Sequence, residues 1–414
     1  MSTFTYQNDK LCAERVRIED IAREIGTPFY VYSRQQIVKN YFDFDNAFSS
    51  SPHLICYALK ANSNLSIGRI LNDCNAGVDI VSGGELYRAL KIGFPEKKIV
   101  FAGVGKTTEE IRYALRKNIL MLNVESFGEL ELIDYIARGM KRRAPIAIRV
   151  NPGVKVHTHK YITTGEVENK FGIPLVQAIA VYERAHSLKN IEILGMHSHI
   201  GSQITALYPF VETLRRLLGL LQELEKSNIR VQYLNLGGGL GIRYKNERPP
   251  TPKDLARAYL TLLKDKKYTL ILEPGRYIVG NAGLLVTKVL YLKDTGRKKF
   301  VIVDAGFTEL IRPVLYNAYH EIVPVKRKKD TRMIVDVVGP ICESSDYFAQ
   351  NRKLRPVVPN ELIAILNTGA YGFSMASSYN SRPKVPEILV DDKKWFIIRE
   401  RETYADLIHK EKIT

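Results

Sequence analysis

Ile55-Cys-Tyr-Ala-Leu-Lys-Ala-Asn62 is a short apolar run that ends in a lysine. A run this short, rich in buried-type residues, suits a strand with no wet face. Three more follow, Val78 to Val81, Ile99 to Ala102 and Leu120 to Val124, and the four starts lie 21 to 23 residues apart. That interval is the pitch of compact strand and helix units. Ile146 to Val150, Ile193 to His199, Val231 to Leu236 and Leu270 to Leu272 bring the series to eight. Between them, Glu109 to Asn118 and Phe210 to Leu224 carry apolar residues at helical spacing. Eight alternations across Ile55 to Arg276 predict a closed (β/α)8 barrel, the TIM architecture; an open doubly wound sheet is the other arrangement this pattern permits.

After Arg276 the texture changes. Gly283 to Leu292, Phe300 to Val303, Met333 to Val338, Leu362 to Leu366 and Trp395 to Ile398 are apolar stretches separated by turns, with little helical periodicity. The final third therefore reads as a second, mainly antiparallel β domain, expected as a β-barrel, and Phe29-Tyr-Val-Tyr32 resembles a further strand of it. The expected division is residues 1–35 as an N-terminal segment of the β domain, 36–278 as the α/β barrel and 279–414 as the C-terminal β domain.

The chain has 414 residues, 45% hydrophobic, enough for a large core in two domains. No run approaches the roughly 18 apolar residues of a membrane span, and the first ten residues lack the apolar centre of a signal peptide, so a cytoplasmic protein is expected. Cys12, Cys56, Cys74 and Cys342 show no paired spacing, which argues for reduced thiols rather than a zinc ribbon or disulfide framework. The formal charge of +17 raises nucleic acid as a partner. The basic clusters Lys141 to Arg143, Arg297 to Lys299 and Lys326 to Lys329 are short, dispersed and free of interleaved aromatics, which fits solvated loops better.

Nearly every barrel run ends in polar or glycine residues, and strand C-termini are the working face of this architecture. Lys60 ends the first. Ser82 to Glu85, Gly103 to Lys106, Glu125-Ser126 and Arg149-Val-Asn151 end the next four, and His197-Ser-His199, Gly237 to Gly239 and Glu273-Pro-Gly-Arg276 end the last three. A lysine delivered to a desolvated place has a lowered pKa and attacks aldehydes, while most lysines at strand ends only reach into water. What favours the chemical reading is its company. Three successive glycines suit a phosphate at the seventh or eighth strand, though a tight turn has the same sequence. Glu273 directly follows an apolar run and precedes Pro274; a carboxylate there keeps a pyridine nitrogen protonated, the alternative being an ion pair with Arg276. Lysine, phosphate loop and carboxylate together are the set that pyridoxal phosphate would require.

His197 and His199 alternate on a strand, the geometry of a metal pair, but no carboxylate cluster accompanies them or His157 and His159, and no metal is expected. His199 is placed to stack on a flat cofactor, and His197 reads as a core histidine. In the β domain, Cys342 sits beside Glu343 in a polar loop, either an apolar filler or a proton donor. Arg312 and Tyr316 are four residues apart and meet if their segment is helical, which suits a carboxylate or, for Arg312, an ion pair. Tyr371 is held between glycines.

These motifs, in this order and over nearly the whole chain, resemble the diaminopimelate decarboxylases, pyridoxal phosphate enzymes of the alanine-racemase fold. The resemblance implies that Lys60 carries the cofactor covalently and that His199 stacks on its ring. It implies that Gly237, Gly238, Gly239, Glu273, Pro274, Gly275 and Arg276, with Asp79, Ser202 and Tyr371, hold the rest of the cofactor. It further implies that Arg276, Arg312 and Tyr316 grip the substrate's distal carboxylate, with Tyr371 and Glu343 also at the substrate. Cys342, the implied proton donor, and Glu343 would come from the partner subunit of a homodimer. The family commonly has glycine at Ser345 and asparagine at Ser378; neither change removes a catalytic group. The implied activity is conversion of meso-2,6-diaminopimelate to L-lysine and carbon dioxide, the last step of lysine biosynthesis.

Related decarboxylases of ornithine, arginine or carboxynorspermidine share the barrel lysine, but their cysteine loop typically reads Cys-Asp. A buried Arg312 facing an ammonium end would cost about several kcal/mol. A racemase of the same fold would be expected to set an arginine, rather than Glu273, against the pyridine nitrogen.

Overall fold

A computed structural model describes residues 3–155, 169–264, 266–328 and 331–414. His157, His159 and Lys329 lie outside the described residues. The chain forms two compact units, one of residues 40–242 and 248–277, the other of 1–39, 243–247 and 278–414.

The first unit is the closed barrel. Its strands are His53–Ala58, Gly77–Ile80, Ile99–Phe101, Met121–Val124, Ala144–Asn151, Ile191–His197, Tyr233–Asn235 and Thr269–Leu272. Each is parallel to the next, and the ring closes where Thr269–Leu272 pairs with His53–Ala58. The second, third and fourth strands are buried at every position, which is why their sequences are continuous apolar runs rather than alternating ones. The helices expected over Glu109 to Asn118 and Phe210 to Leu224 span Thr108–Lys117 and Tyr208–Lys226.

Local chemistry sets where these helices begin. Ser82, Thr107 and Ser126 each accept a hydrogen bond from the backbone N–H three residues on, at Glu85, Glu110 and Glu129. Such a cap contributes about 1 kcal/mol. Two of the polar strand-end motifs, Ser82 to Glu85 and Glu125-Ser126, are thereby accounted for in part by helix initiation: Ser82 and Ser126 start helices, because the first amides of a helix have no partner within it.

The second unit is built on a nine-stranded, mainly antiparallel sheet. Phe29–Ser33 lies inside it, antiparallel to Gly283–Asp294 and parallel to Glu387–Asp391. A second parallel pair joins Lys299–Val303 to Met333–Val338, and the remaining pairings are antiparallel. Phe29, Val31, Leu284, Val286, Ala364, Ile388 and Val390 share one core. Residues 243–247 belong to this unit although barrel residues flank them in sequence.

Candidate active site

Lys60 follows the first barrel strand in a single 3-10 turn, Leu59–Ala61, which aims its side chain across to the second strand. Its Nζ donates to Asp79 Oδ2 at 2.6 Å. Asp79 is fully buried; burial pushes its carboxyl up and the charge of Glu273 adds to this, while Lys60 opposes both. Its other oxygen, Oδ1, is buried without a hydrogen-bond partner among the described residues.

Glu273, at the end of the eighth strand, is 4% exposed. It accepts from Asn235 Nδ2 at 2.6 Å, and His197 Nε2 lies 3.4 Å from its other oxygen. Burial alone would raise its pKa, but the close approach of His197 and the charge of Lys60 outweigh it and hold the carboxyl well below the usual range. Of the two buried acids, Glu273 is the one that stays ionised.

His197 and His199 are not both on the strand. The strand ends at His197, so the alternation that would have paired them stops there, and His199 lies in the loop. His197 is more than a packed core histidine, since it is buried directly against the Glu273 carboxylate. His199 accepts a hydrogen bond at Nδ1 from the Gly238 N–H at 3.1 Å, so that nitrogen carries no proton. Burial lowers its pKa well below the ordinary value, helped by the charges of Lys60 and Arg149, and the ring is neutral. Among the described residues no group of three or more His, Cys, Asp or Glu is placed to hold a metal ion.

The glycine triplet is a packing requirement as well as a loop. A Cβ on Gly238 would stand 2.1 Å from the Glu273 carbonyl oxygen, and one on Gly237, at φ +63°, would stand 2.6 Å from that of Ser198. No side chain fits at either position. Two of the three amides are used within the site, Gly237 donating to Asn235 Oδ1 and Gly238 to His199. Beside the loop, Arg276 donates to Ser202 Oγ from Nε at 3.3 Å and from Nη2 at 3.1 Å. Pro274 accepts from the Ala58 amide at 3.2 Å, and Gly275 packs against Ala58 and Ala61, so the Lys60 turn and the Glu273 to Arg276 segment are held together.

Several residues of this site had no role assigned from sequence, Arg149 and Glu125 being noted only as strand-end residues and Asn235 not at all. Arg149 donates to Glu125 at 2.7 Å and to the His199 carbonyl at 3.2 Å, and Glu125 also accepts from the Gly103 and Gly172 amides. The signal available was a charged residue inside an apolar run, and for Asn235 a lone amide between two leucines.

The candidates of the β unit form groups of their own. Arg312 and Tyr316 do lie on one short helix, Arg312–Tyr316, and Arg312 is 5% exposed. Cys342 is exposed in the loop before Tyr347–Leu354, its thiol 3.3 Å from Asn380 Oδ1. Glu343 accepts from Tyr379 at 2.6 Å and from Ser345 at 3.1 Å. Tyr371 has a positive φ of 55°, the left-handed region that its place between Ala370 and Gly372 must accommodate. The basic clusters are partly spent on the fold: Arg142 donates to Leu115 and Asn118, Lys298 pairs with Asp336 at 2.6 Å, and Lys328 pairs with Glu361.

A family model for the pyridoxal-binding domain of pyridoxal-dependent decarboxylases matches residues 34–280. A diaminopimelate decarboxylase from Aquifex aeolicus is 47% identical over 97% of this chain and 96% of its own length. The chain belongs to the diaminopimelate decarboxylase family. The relative from Vibrio cholerae is 46% identical over 98% of both chains. Among solved structures, the diaminopimelate decarboxylase of M. jannaschii in complex with L-lysine matches with a TM-score of 0.95 at 41% identity, covering 100% of this chain and 98% of that one. The Helicobacter pylori enzyme complexed with L-lysine matches with a TM-score of 0.92 at 44% identity, over 95% and 98%.

As a member of the diaminopimelate decarboxylase family, the chain uses pyridoxal phosphate, and the residues present fit that group. The site offers an amine, two buried carboxylates of which one stays ionised, an orphaned Asp79 oxygen, a neutral imidazole fixed by a backbone amide, and a glycine loop at which no side chain fits.

Proposed function

We infer that this chain decarboxylates meso-2,6-diaminopimelate to L-lysine and carbon dioxide, the closing step of lysine biosynthesis, as a cytoplasmic homodimer. The observation that carries the reaction type is Lys60 between Asp79 and an ionised Glu273 at the mouth of the barrel. Bound pyridoxal phosphate supplies an electron sink for the pair left when the α-carboxylate departs.

The protein's own residues do the rest. Lys60 is the amine that would hold the cofactor covalently, with Asp79 orienting it. Glu273, ionised and in contact with His197 and Asn235, would keep the cofactor's pyridine nitrogen protonated. His199, neutral and oriented by Gly238, presents a flat face for stacking. The side-chain-free Gly237 to Gly239 loop, through its Gly239 amide, together with Ser202 and Arg276, suits a phosphate. Arg312 and Tyr316, with Arg276, suit the distal carboxylate of the substrate. Cys342 delivers a proton to the carbon that has lost its carboxylate, and the exposure of Cys342 and Glu343 is what a pair donated to a second subunit requires.

The reading is tested by reconstituting the protein with pyridoxal phosphate and assaying carbon dioxide and L-lysine from meso-2,6-diaminopimelate, with L-ornithine as the competing substrate. Release of carbon dioxide from ornithine alone would transfer the protein to the cationic-substrate decarboxylases, and racemisation without gas would transfer it to the racemases. The expected result is lysine production, from a species that sediments as a dimer.

A further inference from the structure

Arg312 is buried, and the structure shows what holds it. The guanidinium stacks over the Tyr244 ring, 4.8 Å from its centroid, and Nη1 donates both to the Tyr244 hydroxyl at 3.0 Å and to His320 Nε2 at 2.8 Å. His320 has no exposed surface. Its other nitrogen, Nδ1, lies 2.8 Å from the Leu366 carbonyl oxygen, which can only accept. The proton therefore sits on Nδ1, and Nε2 is a bare acceptor aimed at the arginine. Arg352 donates to the His320 carbonyl at 2.7 Å and so fixes its backbone as well. The Tyr244 and His320 rings meet edge to face, with centroids 5.2 Å apart.

We propose that His320 is a positioning residue for substrate specificity: as a neutral imidazole locked in one tautomer, it aims Arg312 at the distal carboxylate of the substrate. This rests on the assignment of Arg312 to that carboxylate. A guanidinium has five N–H donors in a rigid fork, and its bidentate grip depends on the plane in which that fork lies. His320 takes one donor of Nη1 and thereby sets that plane. It is suited to the task because it adds no charge. A carboxylate in its place would neutralise Arg312 and compete with the substrate, whereas an imidazole orients the arginine and leaves its full charge for the ligand. Leu366 gives the contact a second consequence. It directly follows the strand Leu362–Ile365 and begins the segment that leads to Tyr371, so His320 ties the Arg312 helix to the backbone that delivers another substrate candidate.

The experiment compares His320→Gln, His320→Asn and Arg312→Ala in the cofactor-loaded enzyme. Gln can extend an acceptor to Arg312; Asn is long enough only to keep the Leu366 contact. His320→Asn is expected to raise KM for meso-2,6-diaminopimelate by about tenfold or more, the usual effect of losing one hydrogen bond to a charged group. It should change kcat by less than about threefold and weaken L-lysine binding, measured by calorimetry, in parallel. Cofactor absorbance should be unchanged, and His320→Gln should recover most of the loss. Equal KM and lysine affinity in His320→Asn and wild type would overturn the role of His320, provided Arg312→Ala itself weakens both. If Arg312→Ala leaves KM and lysine affinity at wild-type values, the assignment of Arg312 has failed instead, and the proposal with it. Equal weakening in the Gln and Asn variants, with a lowered melting temperature in both, would show a packing role only and would also overturn it.

Discussion

The barrel unit and the β unit place their chemistry in different ways. In the barrel, each candidate side chain leaves a strand end or the residues just after it and is tied to the backbone of a neighbouring strand end or turn: Glu273 through Pro274 to Ala58, His199 through the Gly238 amide, Lys60 through its 3-10 turn. In the β unit the candidates sit on loops and a five-residue helix, and they are held by other side chains rather than by backbone, as Arg312 is by Tyr244 and His320. A parallel barrel converges eight strand ends on one rim, so position along the strand is enough to assemble a site. An antiparallel sheet has no such rim, and each functional residue there needs its own support.

The sharpest break of that comparison is Lys60→Ala. The barrel geometry should survive, because the turn is held by Pro274 and Gly275, while covalent retention of pyridoxal phosphate disappears and turnover falls below detection. The visible spectrum after dialysis reports it. A variant that keeps the cofactor covalently bound would displace Lys60 from its role. Next in size is Cys342→Ala, which removes a proton donor from an exposed loop without touching the barrel; kcat should fall by about 10²- to 10⁴-fold with cofactor content intact. Unchanged kcat would leave the cysteine as filler.

Gly238→Ala tests the other side of the comparison, the dependence of the barrel site on backbone packing. A methyl group 2.1 Å from the Glu273 carbonyl oxygen forces the loop or the strand end to move. A loss of about 1–3 kcal/mol of stability is expected, as for overpacking elsewhere, together with weaker cofactor binding. Denaturant unfolding and cofactor titration measure the two, and wild-type values in both would show that the loop yields freely.

The smallest effect is one of pH. His199 has a lowered pKa in the folded protein, so below about 6.5 the unfolded chain takes up a proton that the folded one does not. Its contribution to stability is fully present above that pH and is lost as pH falls toward the folded value, at no more than about 1.4 kcal/mol per pH unit. Asp79, with a raised pKa, works in the opposite sense: its contribution is present below about pH 3.9 and is lost as pH rises through its folded value. The two overlap, so stability of the wild type alone does not separate them. Subtracting the His199→Asn profile between pH 5 and 7 does, and the difference should grow with pH; a flat difference would mean that the ring is already free to protonate.

Much of this molecule was legible in its order of residues. Eight apolar runs ended where eight strands end to within a few residues, and the lysine, histidine, glycine triplet and glutamate at those ends are brought together in the structure. These features are local: burial on both faces writes a continuous apolar run, and a rim site writes polar residues directly after it. The Ser82 and Ser126 motifs were also local, but their capping geometry serves helix starts, a need that polar residues at a strand end equally satisfy.

What only the tertiary structure decided is partnership. Nothing within a few positions of Glu273 announces that Asn235 and His197 meet it, or that Glu125 is met by Arg149, and no periodicity marks His320 as the neighbour of Arg312. Sequence determined which groups this protein carries to its strand ends and how its backbone reaches them. The fold determined which of those groups are charged, because the protonation of a buried carboxylate or imidazole depends on the distance and direction of donors brought from other strands, and those are properties of packing rather than of the chain's local pattern.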